Sequence, residues 1–85
     1  MRSVSAAPDR AAVWRRLGAP TDQLGSVNDP RTIEEHGVKW NEKWLYRGVD
    51  GHRVERVVLW HRYDFVGMFR IAADGVATAE TLPGD

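Results

Sequence analysis

The 85-residue chain has room for one domain with a small core, since a domain of this size buries only about 60–65% of the surface its unfolded chain exposes. It has no cysteine, so disulfides and thiolate metal sites are excluded. Twelve basic and twelve acidic residues give zero net charge, which argues against a generic polyanion binder.

The first ten residues lack the apolar stretch of a signal peptide, and no apolar run reaches the ~20 residues of a membrane span, so a cytoplasmic protein is expected. Ten arginines against two lysines, with many Ala, Val and Gly, match the output of a GC-rich bacterial genome. Residues 38–72 carry seven basic and four acidic side chains, a net charge of +3, whereas 73–85 carry only Asp74, Glu80 and Asp85.

In chain order, 1–7 read as a disordered tail. A first helix follows, with Pro8 at its first position and Asp9 in its first turn, facing the helix dipole. Val13, Trp14 and Leu17 share one face, and Trp14 is the expected anchor. Gly18 caps the helix and Pro20 stops it. Residues 19–28 read as a loop. Asp29-Pro30 then repeats the helix-start signal, and 30–36 are expected to form a short second helix closed by Gly37.

From Val38 the alternation becomes that of strands, over 38–48, 53–62, 68–72 and 76–82. Asp50-Gly51 and Asp74-Gly75 suit tight turns, because both residue types tolerate φ > 0. Residues 63–67 read either as a turn with Gly67 as a bulge residue or as a bend within one strand. The tail 83–85 is expected to fray. The expected fold is a single α+β domain over 8–82. It comprises an N-terminal helix, a short second helix and a three- to four-stranded antiparallel meander.

A two-residue turn at Asp50-Gly51 sets a register that puts Trp44 opposite Val57 and Trp40 opposite His61. Trp40, Trp44, Tyr46 and His61 then share an aromatic face, assigned to the core. Lys43, Arg47, Arg56, Arg62 and Trp60 share the other. Trp and Arg are the side chains most enriched at binding hot spots, so this second face is the expected partner surface. One short helix cannot cover both faces, so a second copy of the chain is an expected cover.

The histidines, His36, His52 and His61, are 16 and 9 residues apart, without metal-ligand spacing, and no metal or cofactor is expected. His61 and Tyr63 have the chemistry of an acid–base pair and Arg62 that of an anion holder, but strand composition accounts for all three. No serine sits in a nucleophile elbow, and no Gly-rich phosphate loop is present. The reading is a non-enzymatic protein-interaction module or accessory subunit, partnered by another protein or itself. One alternative is a single-stranded nucleic-acid platform using Trp60 and the basic residues. Another is a small-ligand binder with a pocket at Trp40, Trp44, Tyr46 and His61.

Overall fold

A computed structural model describes residues 8–82; the expected tails at 1–7 and 83–85 lie outside them. Among the described residues 47% lie in strands and 11% in helix, a mostly β architecture that corrects the α+β expectation. The second helix does not form. The elements are α1 (Arg10–Leu17), β1 (Asp22–Gly25), β2 (Ile33–Glu35), β3 (Val38–Trp40), β4 (Glu42–Arg47), β5 (Val54–His61), β6 (Asp64–Ile71) and β7 (Ala77–Ala79). An antiparallel sheet of order β1-β4-β5-β6-β7 is joined by a separate β2-β3 hairpin. Among the described residues no helix is long and apolar enough to cross a membrane.

Helix α1 starts at Arg10, two residues after Pro8, its expected first position, so neither Pro8 nor Asp9 lies within it. Asp9 is instead the N-cap, its carboxylate accepting from the Ala12 amide at 2.8 Å. Gly18, at φ 82°, closes the helix by donating to the Trp14 carbonyl, as its position foretold. Val13, wholly buried, is the anchor; Trp14 stays 47% exposed.

The supposed second helix fails for a local reason. The Asp29 carboxylate accepts from the backbone and side chain of Arg31, an Asx-type turn that competes with helix initiation. His36 and Gly37 both adopt φ > 0, at 54° and 82°. They form a two-residue hairpin turn that returns β3 along β2, with Glu35 paired to Val38 and Glu34 to Lys39. Gly37 therefore marks a turn rather than a helix end. Ile33, inside the span expected to be helical, is half exposed.

The β4-β5 pairing begins in the expected register, with Arg47 opposite Val54, and then slips by one residue at a bulge between Tyr46 and Arg47. Asp50-Gly51 sit inside a six-residue connection, 48–53, held by Gly48 N–H to the Arg53 carbonyl and Gly51 N–H to the Gly48 carbonyl. Beyond the bulge Trp44 opposes Val58, and Tyr46 opposes Arg56. Because side chains alternate, this single slip carries Arg56, Val58 and Trp60 to the face of Trp44. Trp40 moves to the other face, because the chain bends at Asn41. The Asn41 N–H bonds the Trp60 carbonyl while Glu42 also pairs with Trp60.

The 63–67 ambiguity resolves differently again. Arg62 and Tyr63, at φ 50° and 78°, form a two-residue turn between His61 and Asp64. The bulge is at Val66, which is left between the Trp60–Phe65 and Leu59–Gly67 pairs. Residues 22–25, read as loop, form an edge strand on β4. The turn at Asp74-Gly75 stands where expected, with the Val76 N–H on the Asp74 carboxylate, and β7 is shorter than expected.

Two cores result. On one face α1 covers Trp44, Val58, Trp60 and Met68 through Val13, with Leu82 joining from the chain's far end. On the other the β2-β3 hairpin brings Trp40 and Val38 onto Leu45, Val57, Leu59 and Phe69. The face expected to need a second copy is thus covered by a hairpin of the same chain.

Candidate functional site

Around Arg10 the structure assembles a site that sequence reasoning missed. The guanidinium donates to both carboxylate oxygens of Glu42, at 2.6 and 3.1 Å. It also lies 5.0 Å from the Trp44 ring centroid, 5.3 Å from Trp60 and 5.8 Å from Tyr63. Glu42 is buried, and Trp44 Nε1–H donates to its second oxygen at 3.0 Å. Burial opposes ionisation of Glu42, but the hydrogen bonds from Arg10 and Trp44 and the charge of Arg10 outweigh it, so the carboxyl titrates below its ordinary value. A partly buried ion pair with three charge-assisted or polar donors is the arrangement in which such a pair survives desolvation.

The rings continue outward. Trp44 and Trp60 lie 4.9 Å apart, Phe65 meets Trp60 edge-on at 5.8 Å, and Trp14 meets Trp44 edge-on at 5.7 Å. Two rings reach solvent: Trp14 and, on the hairpin turn, Tyr63, which is 63% exposed. The only available sequence signal for this site was Arg10 and Trp14, one helical turn apart.

The β5-β6 tip is unusual chemistry for its geometry. A two-residue turn with both φ positive ordinarily uses Asn and Gly, because a side chain there costs about 1–2 kcal/mol per residue. Here Arg62 and Tyr63 occupy both positions. Two contacts hold them: the Arg62 N–H donates to Asn41 Oδ1 at 3.1 Å, and Arg10 lies beneath the Tyr63 ring. Asn41 is itself fixed, because its Nδ2 donates to the Val27 and Asp29 carbonyls at 3.2 and 3.1 Å. Among the described residues neither the Arg62 guanidinium nor the Asp64 carboxylate has an ion-pair or side-chain hydrogen-bond partner. A shallow groove lined by Pro8, Asp9 and Tyr63 to Val66 runs beside the tip.

The residues expected to form one partner surface are dispersed. Trp60 is wholly buried and cannot be offered to a partner or a base, so its expected exposure is corrected. Lys43 lies under the β2-β3 hairpin, with Nζ 2.8 Å from Glu35 and 5.0 Å from the Trp40 centroid. Arg62 stands at the tip. Arg47 and Arg56 line a depression with Tyr46, Glu55 and Arg70, away from the tip. Nor do Trp40, Trp44, Tyr46 and His61 share a face: Trp40 is across the sheet from Trp44, and His61 ends β5 beside the turn.

Tyr46 donates its hydroxyl to the Gly18 carbonyl at 3.0 Å. Burial pushes its ionisation up to about 12, against a smaller opposing effect of Arg56. Glu35 titrates below its ordinary value: burial opposes this, and Lys43, His36 and Trp40 together prevail. Among the described residues no three His, Asp or Glu side chains converge as metal ligands. No protein-family model matches the chain, and no curated protein and no solved structure is similar to it.

Proposed function

We propose that this chain is a small non-enzymatic interaction module that pairs with a second copy of itself through the tip of the β5-β6 hairpin. The observation that carries the reading is the tip's composition and support. Arg62 and Asp64 stand on either side of exposed Tyr63, both uncompensated within the described chain. A cation and an anion flanking an aromatic side chain complement their own copy across a two-fold axis, where Arg62 meets Asp64 of the other subunit twice. Tyr63 then supplies the apolar centre, as tyrosine does at interface hot spots.

The turn's strain supports the same reading. A conformation that disfavours side chains is kept at a position where Asn-Gly would be more stable, and strain of this kind clusters at functional sites. Asn41 and Arg10 fix the tip before any partner arrives, which lowers the ordering cost of association.

Sedimentation equilibrium at micromolar concentration tests the proposal. The wild-type chain is expected to be a dimer, and Tyr63→Ala, with the fold intact by circular dichroism, a monomer. A wild-type chain that stays monomeric over the whole accessible concentration range would overturn it.

A further inference from the structure

We infer a second, separate site: a fork between Arg56 and Arg70 that binds a small oxyanion, a phosphate or carboxylate group, and that Glu80 of the same chain occupies. Tyr46, Arg56, Arg70 and Thr78 are successive cross-strand partners on β4, β5, β6 and β7, so they form one row across the sheet. The row lies on the α1-covered face, at the end where α1 reaches only as far as Gly18, whose carbonyl accepts from Tyr46.

Arg56 and Arg70 are direct neighbours across two strands. Like charges in that position destabilise a sheet unless something compensates them. The compensation present is a single carboxylate. Arg56 Nε–H donates to Glu80 Oε1, and Arg70 Nε stands 3.6 Å from Oε2. Arg70 is thus too far for a hydrogen bond, and its side chain remains 60% exposed. The neighbouring cations are engaged elsewhere: Arg47 on Asp22 and the His52 carbonyl, Arg53 on Glu55 and the Ile71 carbonyl. The fork therefore holds two guanidinium charges against one carboxylate.

Glu80 shows which ligand the fork takes. It presents two oxygens, one to each arginine, from a segment that follows the three-residue edge strand β7. Planar guanidinium groups match two-oxygen anions in this way. An external phosphate or carboxylate brings the same pair of oxygens without the tether, and Arg70, the loosely paired member, is where it first engages. Glu80 acts as a resident competitor that sets the affinity.

NMR titration of the 15N-labelled full chain at constant ionic strength tests this, with inorganic phosphate in one arm and glutarate in the other. Sodium chloride is the control for screening. Shifts at Arg56, Arg70 and Thr78 are expected in the wild type and are lost in Arg70→Ala. Glu80→Gln removes the competing carboxylate and is expected to tighten binding by roughly tenfold, since a tethered group competes at millimolar effective concentration. Response to phosphate alone identifies a phosphate site, to glutarate alone a carboxylate site, and to both a general oxyanion site; all three support the fork. Shifts equal to those in sodium chloride, in the wild type and in whichever variants fold, would overturn it.

Discussion

Arg10 of α1 holds both oxygens of Glu42 on β4, across 32 residues of sequence, and it does so while enclosed by Trp44, Trp60 and Tyr63. This one pair joins the helix to the sheet and supports the hairpin tip at the same time. Arg10→Met leaves Glu42 buried without its cation. The expected loss is about 2–4 kcal/mol by urea denaturation, below the range for a fully buried pair because the Arg10 side chain is 32% exposed. Arg10→Met combined with Glu42→Gln is expected to cost less than the two changes added together, since each removes the reason for the other.

Acid should reveal the same pair. Glu42 and Glu35 both titrate below their ordinary values in the folded chain. Their contribution to stability is therefore complete above the unfolded carboxylate pKa and is lost as pH falls through the lower folded values. The urea midpoint is expected to fall below about pH 4.5, near the ordinary carboxylate pKa. The fall should be shallower in Glu42→Gln. An unchanged acid slope in that variant would count against the pair's role.

The tip should display a conflict between stability and association. Replacing Arg62-Tyr63 with Asn-Gly puts the two residue types that best tolerate φ > 0 into positions where other side chains cost about 1–2 kcal/mol each. It also loses the Arg10–Tyr63 contact, worth about 0.5–1 kcal/mol. The net expectation is a stabilisation of about 1–2 kcal/mol in thermal or urea melts. Self-association should be lost in the same variant.

Asn41 ties three segments together. Its side chain donates to the 27–29 loop and accepts from Arg62, and its carbonyl accepts from the Ser26 N–H at 3.1 Å. Asn41→Ala leaves two carbonyls and one N–H without partners, at an expected cost of about 2–4 kcal/mol. Amide exchange at Arg62 should accelerate more than exchange at the centre of β5.

What the sequence made legible was local. Gly18 and Asp74-Gly75 each marked an element end, because capping and turn chemistry act within a few residues. The β-rich C-terminal run was equally plain. What escaped was set by longer contacts. His36-Gly37 reads as a helix end until β3 is seen to fold back on β2. Asp50-Gly51 lies within a longer loop that still starts the pairing with Arg47 opposite Val54, as expected. It is the bulge between Tyr46 and Arg47, which no local signal announces, that moved Trp60 from the expected binding face into the core. Asn41 reverses the parity between Trp40 and Trp44 through a bend that no periodicity announces. The Arg10 site depends on a contact between α1 and β4 that only the packed fold creates.

Charge exchange at the tip distinguishes the proposed pairing of two chains through Arg62, Tyr63 and Asp64 from a monomer. Sedimentation equilibrium would be run on the wild type, Arg62→Asp, Asp64→Arg and the double variant. Each single change places like charges across the two-fold axis, and the double change restores opposite ones. The predicted result is dimer, monomer, monomer, dimer. Four monomers, or four dimers of equal affinity, would contradict it.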